Sequence, residues 1–128
     1  MRVLLDTHIF IWWDSNLNLL SPQARSICEN KENTLILSLV SIWEMQIKSQ
    51  LGKLSFNDSL REVVQNQRQT NRLELLPIGA EHIYALQELP MHHKDPFDRL
   101  LIAQANFERL PLLTADQVLR QYNVRLLH

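Results

Sequence analysis

A chain of 128 residues is in the commonest size range for one domain and can bury a core without disulfides or a structural metal. Its 13 basic and 14 acidic side chains give a net charge of -1, which excludes a global positive field for nucleic acid and leaves only a local contact. A single cysteine, Cys28, excludes an intrachain disulfide, and two glycines exclude both the dinucleotide fingerprint and the Gly-rich phosphate loop.

No Cys/His spacing suggests zinc, so a reducing, cytoplasmic setting is expected. The most apolar stretch, residues 35–43, is broken by Ser38 and Ser41 and is far shorter than the roughly 20 residues of a membrane span, so a soluble protein with no membrane partner is expected. Met1 through Leu5 run straight into Asp6, with no long apolar region or cleavage site, so no signal peptide is expected.

Residues 3–5 form a short apolar run that stops at Asp6, reading as a buried strand with a carboxylate at its carboxyl end. Ser21 before Pro22 opens a helix to about Asn30, followed by a turn over 31–33. Residues 34–37 look like a second buried strand, and Ser38 or Ser41 can cap a helix running to about Gly52, a natural terminator. A polar amphipathic helix is predicted over 58–69 and a strand at a sheet margin over 73–78, because of Pro77. Residues 81–89 read as a helix, 90–94 as a loop and 96–109 as a long helix. Strands over 111–114 and 124–127 follow, separated by a short helix over 116–121. This alternation predicts one α/β domain over 1–128, with helices on both faces of a mostly parallel sheet and ligands bound beyond the strands' carboxyl ends.

Five acids stand at or near the positions where that geometry concentrates chemistry. Asp6 ends the first strand or caps the segment after it. With Leu39 at zero and about 100° per residue, Glu44 falls at roughly 140°, beside Val40, Ile47 and Leu51 at the edge of the core-facing stripe. A plain ion pair with Lys48, four residues on, is the alternative. Asp95 before Pro96 has the form of an N-cap. Asp98 shares a helix face with Leu101, Ile102 and Ala105 and points inward. Asp116 follows another short apolar strand, or caps the helix after it. Like charges gathered at one sheet mouth repel unless a cation neutralises them, and hard oxygen ligands select Mg²⁺ or Mn²⁺ over zinc.

Asp6-Thr7-His8, Ser41-Ile42-Trp43-Glu44-Met45 with Lys48 and Leu51-Gly52-Lys53-Leu54, Asp95-Pro96-Phe97-Asp98-Arg99-Leu100-Leu101-Ile102-Ala103-Gln104-Ala105, and Leu113-Thr114-Ala115-Asp116 resemble PIN-domain ribonucleases, specifically VapC-type toxins of toxin-antitoxin pairs. The resemblance spans nearly the whole chain and implies a PIN-like three-layer α/β/α fold. It makes Asp6, Glu44, Asp98 and Asp116 the acidic quartet that holds Mg²⁺ or Mn²⁺. Thr7 and Thr114 become accompanying hydroxyls, and Asp95 an outer acid or the alternative fourth acid. The implied reaction is RNA hydrolysis to 5′-phosphate and 3′-hydroxyl products, and the implied partners are a small VapB-like antitoxin and a second copy in a homodimer.

Lys48, Lys53, Lys94 and Arg99 lie close in sequence to these acids and are candidates for a phosphate-binding rim, although each singly also reads as a solvated charge. Trp12 and Trp13 read as core packing, with an oligomer or antitoxin surface as the alternative. His8 is adjacent to the site without a required role, His92 and His93 read as solvated loop residues, and His82 and His128 carry no signal. A phosphohydrolase with an aspartyl nucleophile is disfavoured because His8 stands where that chemistry usually has a second Asp. A catalytically silent binding module is the remaining alternative.

Overall fold

The computed structural model describes residues 1–91 and 95–128, so what was expected of His92, His93 and Lys94 lies outside the described residues. Strand β1 (Arg2–Leu5) leads into helix α1 (Thr7–Ser15), and a 3-10 turn over Leu17–Leu19 precedes α2 (Pro22–Glu29), β2 (Thr34–Ser38) and α3 (Leu39–Gln50). Helix α4 (Leu60–Asn71), β3 (Glu74–Leu76) and α5 (Ala80–Tyr84) follow, with a 3-10 extension over Ala85–Glu88. The chain closes with α6 (Pro96–Glu108), β4 (Leu112–Leu113), a 3-10 turn over Gln117–Gln121 and β5 (Leu126–Leu127).

The strands form one sheet in the order β3-β2-β1-β4-β5, and every pairing among them is parallel, where a mostly parallel sheet was expected. The apolar runs of β1 and β2 are continuous because both faces are buried. Val3, Leu5, Leu35 and Leu37 pack with Ile9 and Phe10 of α1, Ala24 and Cys28 of α2, and Val63 and Val64 of α4. Leu4 and Ile36 face the other way, onto Leu100, Leu101, Ile102 and Ala105 of α6. The result is three layers, α/β/α.

Several boundaries move for local reasons. Strand β3 ends at Leu76, before Pro77, which has no N–H to give a ladder. The helix expected over 81–89 divides into α5 and its 3-10 extension, and the one expected over 116–121 is a 3-10 turn. The last two strands shrink to two residues each. Ser38 caps α3 by accepting the Val40 N–H at 3.0 Å, whereas Ser41 lies inside the helix. Gly52 has φ +73 just past the end of α3, the left-handed conformation that suits a helix terminator. Helix α1 was not assigned from periodicity, because Thr7–Ser15 is apolar nearly all round and offers no stripe to read. Its Trp12 and Trp13 pack, partly buried, against the first core cluster, as the core reading expected.

From β1 the chain crosses first to β2 on one side and later to β4 on the other. The carboxyl ends of β1 and β4 therefore flank a topological switch point, where open parallel sheets form their binding crevice.

Candidate active site

Asp6 stands at that switch point. Its backbone is extended (φ -64, ψ 153), it occupies the N-cap position of α1, and its N–H is tied to Leu113 of β4 at 2.9 Å. Yet its side chain makes no capping hydrogen bond. Instead the buried Thr114 hydroxyl donates to Asp6 Oδ2 at 2.6 Å, and accepts in turn from the Asp116 N–H at 3.0 Å. The residue after β1 is thus held by the residue after β4.

Glu44 enters from α3 and is 3% exposed; Val40 of the expected core-facing stripe is buried on the same helix, whereas Leu51, past the helix end, is 63% exposed. Its Oε1 lies 2.9 Å from the Thr7 hydroxyl, which lies 2.8 Å from the hydroxyl of Ser41. A hydroxyl has one proton, so Thr7 donates to the carboxylate and accepts from Ser41. Glu44 Oε2 takes the Lys48 ammonium at 2.6 Å. The buried-acid reading and the ion-pair reading both hold.

Asp98 lies in the first turn of α6. Asp95 caps that helix, accepting the Phe97 and Asp98 N–H groups at 2.8 and 3.3 Å. Burial pushes the Asp98 carboxyl up to about 8, helped by the negative charges of Asp6, Asp95, Glu44 and Asp116. Four acids, three of them from distant parts of the sequence, therefore bear on one side chain. Asp6 is raised as well, above all by burial and slightly by Glu44, against the Thr114 hydrogen bond, the charge of His8 and the Thr7 N–H. Asp116 serves two ends: its charge reaches Asp98, and its carboxylate caps the following turn through the Val118 N–H at 2.9 Å.

Other expectations fare differently. The Arg99 guanidinium donates to the carbonyls of Leu86 and Pro90, both at 3.3 Å, and to the Met91 sulfur at 2.8 Å. Lys53 is exposed and Lys48 is bound to Glu44. His8 is exposed and its ring lies 5.8 Å from that of Trp12. His82, which carried no signal, is buried, with Nδ1 accepting the Gly79 N–H at 2.9 Å, and so serves the fold. Ser41 is the site residue whose role the sequence did not reveal; its position three residues before Glu44, on the same helix face, was the available hint.

The model of the PIN domain matches residues 3–124. The chain belongs to the PIN-domain family. Among solved structures, this PIN domain is similar to a chain in VapBC2 from Rickettsia felis bound to a DNA fragment from their promoter, at 18% identity and TM-score 0.75, covering 99% of this chain and 98% of that one. A chain of FitAcB from Neisseria gonorrhoeae matches at 16% identity and TM-score 0.68, covering 98% and 96%. A chain of VapBC-1 from nontypeable Haemophilus influenzae matches at 18% and TM-score 0.61, covering 99% and 97%. No curated protein matches the chain.

The donor set of this PIN domain fits a hard divalent cation. Burial, with four neighbouring acids adding to it, raises Asp98 well above the usual carboxylate range, and a divalent ion would offset the charge of carboxylates so placed. Among the described residues no three acids are arranged to grip one ion as they stand. Their oxygens serve internal partners instead: Asp6 Oδ2 takes Thr114, Glu44 takes Thr7 and Lys48, and Asp95 and Asp116 cap helical turns.

Proposed function

We propose that this chain is a Mg²⁺- or Mn²⁺-dependent endoribonuclease toxin that hydrolyses RNA phosphodiester bonds to 5′-phosphate and 3′-hydroxyl products and is neutralised by a small VapB-like antitoxin. The observation that carries this reading is the convergence of Asp6, Glu44, Asp95 and Asp116 on Asp98 at the switch point of a PIN-domain sheet. Asp6, Glu44, Asp98 and Asp116 would hold the ion, with Asp95 as an outer acid. A bound ion supplies positive charge for an attacking water and for the leaving oxygen of the phosphodiester.

The chain's own groups prepare that site. Thr114 fixes the rotamer of Asp6, and the Ser41–Thr7 relay fixes Glu44, so these carboxylates are oriented before substrate arrives. Asp98, raised to about 8 by burial and the neighbouring acids, would have to give up its proton to hold a cation. Lys48 and Lys53 would add local positive charge for RNA phosphates. A homodimer working in the cytoplasm completes the proposal, and the antitoxin part is supported by the VapBC names of two of the similar structures.

The test is cleavage of an end-labelled single-stranded RNA by the wild type and Asp98→Asn, with Mg²⁺, Mn²⁺ or EDTA, beside p-nitrophenyl phosphate. Ion-dependent RNA cleavage lost in Asp98→Asn is expected. Turnover of p-nitrophenyl phosphate alone would replace the nuclease by a phosphohydrolase, and no turnover of either would leave a binding module. For the partner, a small protein with a basic tail encoded beside this gene is titrated by calorimetry against wild type and Asp98→Asn. Weaker binding to the variant is expected, because asparagine, unlike Asp98, cannot ionise as a tail cation approaches the acids.

A further inference from the structure

Both oxygens of the Glu44 carboxylate are occupied. The Thr7 hydroxyl takes Oε1 and the Lys48 ammonium takes Oε2, the latter at 2.6 Å. The Lys48 side chain is 34% exposed and that of Glu44 3%, so the ammonium reaches in from the rim over a carboxylate held beneath it. On a solvated helix face, a pair four residues apart contributes only ~0.2–0.5 kcal/mol. Here one partner is buried where other carboxylates already bear on Asp98, and removing the ammonium would leave a buried charge without its counter-ion.

We propose that Lys48 is an internal counter-ion of the carboxylate site, which neutralises Glu44 when no ion is bound and must swing off Oε2 before that oxygen can ligate a divalent cation. The charge of Lys48 thereby sets the site's affinity for metal. This rests on the reading that the acids hold a divalent ion. An ammonium and a divalent cation compete for the same oxygen and repel each other at that distance. When the pair is closed most of the time, only the open fraction of molecules can use Glu44, and the apparent affinity falls by that fraction. Lysine suits this role because its flexible stem lets the ammonium leave while α3 stays still, and the Ser41–Thr7 relay keeps the other oxygen in place.

The experiment is calorimetric titration of Mn²⁺ into the wild type, Lys48→Met, Lys48→Gln and Lys48→Arg at one pH and ionic strength. A pair open about a tenth of the time predicts roughly tenfold tighter Mn²⁺ binding in the Met and Gln variants. Their metal-free melting temperatures should fall and should recover when Mn²⁺ is added. The Arg variant keeps the charge with a more persistent grip, so its Mn²⁺ affinity should match or fall below that of the wild type. Met and Gln variants that bind Mn²⁺ no more tightly than wild type would overturn the proposal, as would an Arg variant that binds more tightly. Asp98→Asn separates the two levels of inference. Mn²⁺ uptake by the wild type that weakens in Asp98→Asn supports the ion reading whatever Lys48 does, whereas a wild type that takes up no Mn²⁺ overturns both.

Discussion

Helices α1 and α6 both begin after an aspartate with extended backbone angles, φ -64 and ψ 153 at Asp6 and φ -70 and ψ 116 at Asp95. At Asp95 the carboxylate folds back onto the helix and accepts two N–H groups, an arrangement worth about 1 kcal/mol to the helix. At Asp6 the same bonds are forgone and the carboxylate turns to Thr114. What separates them is the surroundings: a buried hydroxyl after β4 offers Asp6 a charge-assisted bond, and burial holds it there. One local pattern therefore yields a structural acid or a site acid according to what the rest of the fold places beside it.

The largest effects should follow from neutralising the acids on the site side of this comparison. Asp6→Asn and Asp98→Asn each keep shape and remove charge, and each is expected to lower RNA cleavage by about 10²–10³-fold. Circular dichroism of the variants should match the wild type; cleavage at wild-type rates would remove that residue from the site. Thr114→Val deletes the donor that draws Asp6 away from its capping role. A loss of about 10–100-fold in activity or Mn²⁺ affinity is expected, and no loss in either assay would make the Asp6–Thr114 bond incidental.

On the structural side the effects are smaller. Asparagine is itself a good N-cap, so Asp95→Asn should cleave RNA within a few fold of wild type, whereas Asp95→Ala should lose about 1 kcal/mol of stability in urea unfolding. If Asp95→Asn were as inactive as Asp98→Asn, the division between the two helix starts would collapse. A further effect concerns pH. Asp98 is raised from 3.8 to about 8 on folding, so its stabilising contribution is full below the lower value and is lost as pH rises through the upper one. Without metal, Asp98→Asn should gain melting temperature relative to wild type as pH rises from about 4 to about 8. A difference that stays constant over that range would deny the crowding of the site.

The sequence exposed what depends on neighbours in the chain. The strand that stops at Asp6 and the cap at Asp95 follow from local periodicity and capping chemistry, as does the place of Asp98 in the first turn of a helix whose Leu101, Ile102 and Ala105 are buried. Hidden features were those made by distant partners. Ser41 acquires its role from Thr7, 34 residues away, and Arg99 donates to carbonyls of a loop whose course no short pattern encodes. The two-residue strands β4 and β5 exist through their pairing with β1 and with each other, so no run of their own could fix their ends.

The bond between Thr114 and Asp6 joins positions 108 residues apart. A ribosome makes Asp6 long before Thr114, yet β4, which carries Thr114 at its end, pairs directly with β1. A growing chain can collapse around β1, β2 and their helices while Asp6 still lacks the hydroxyl that orients it. Long-range parallel pairings of this kind form late, after the entropy of closing the intervening loop has been overcome. Competence for chemistry therefore arrives only once β4 has been made and docked, and truncation ahead of Thr114 should leave a partly ordered but inert polypeptide.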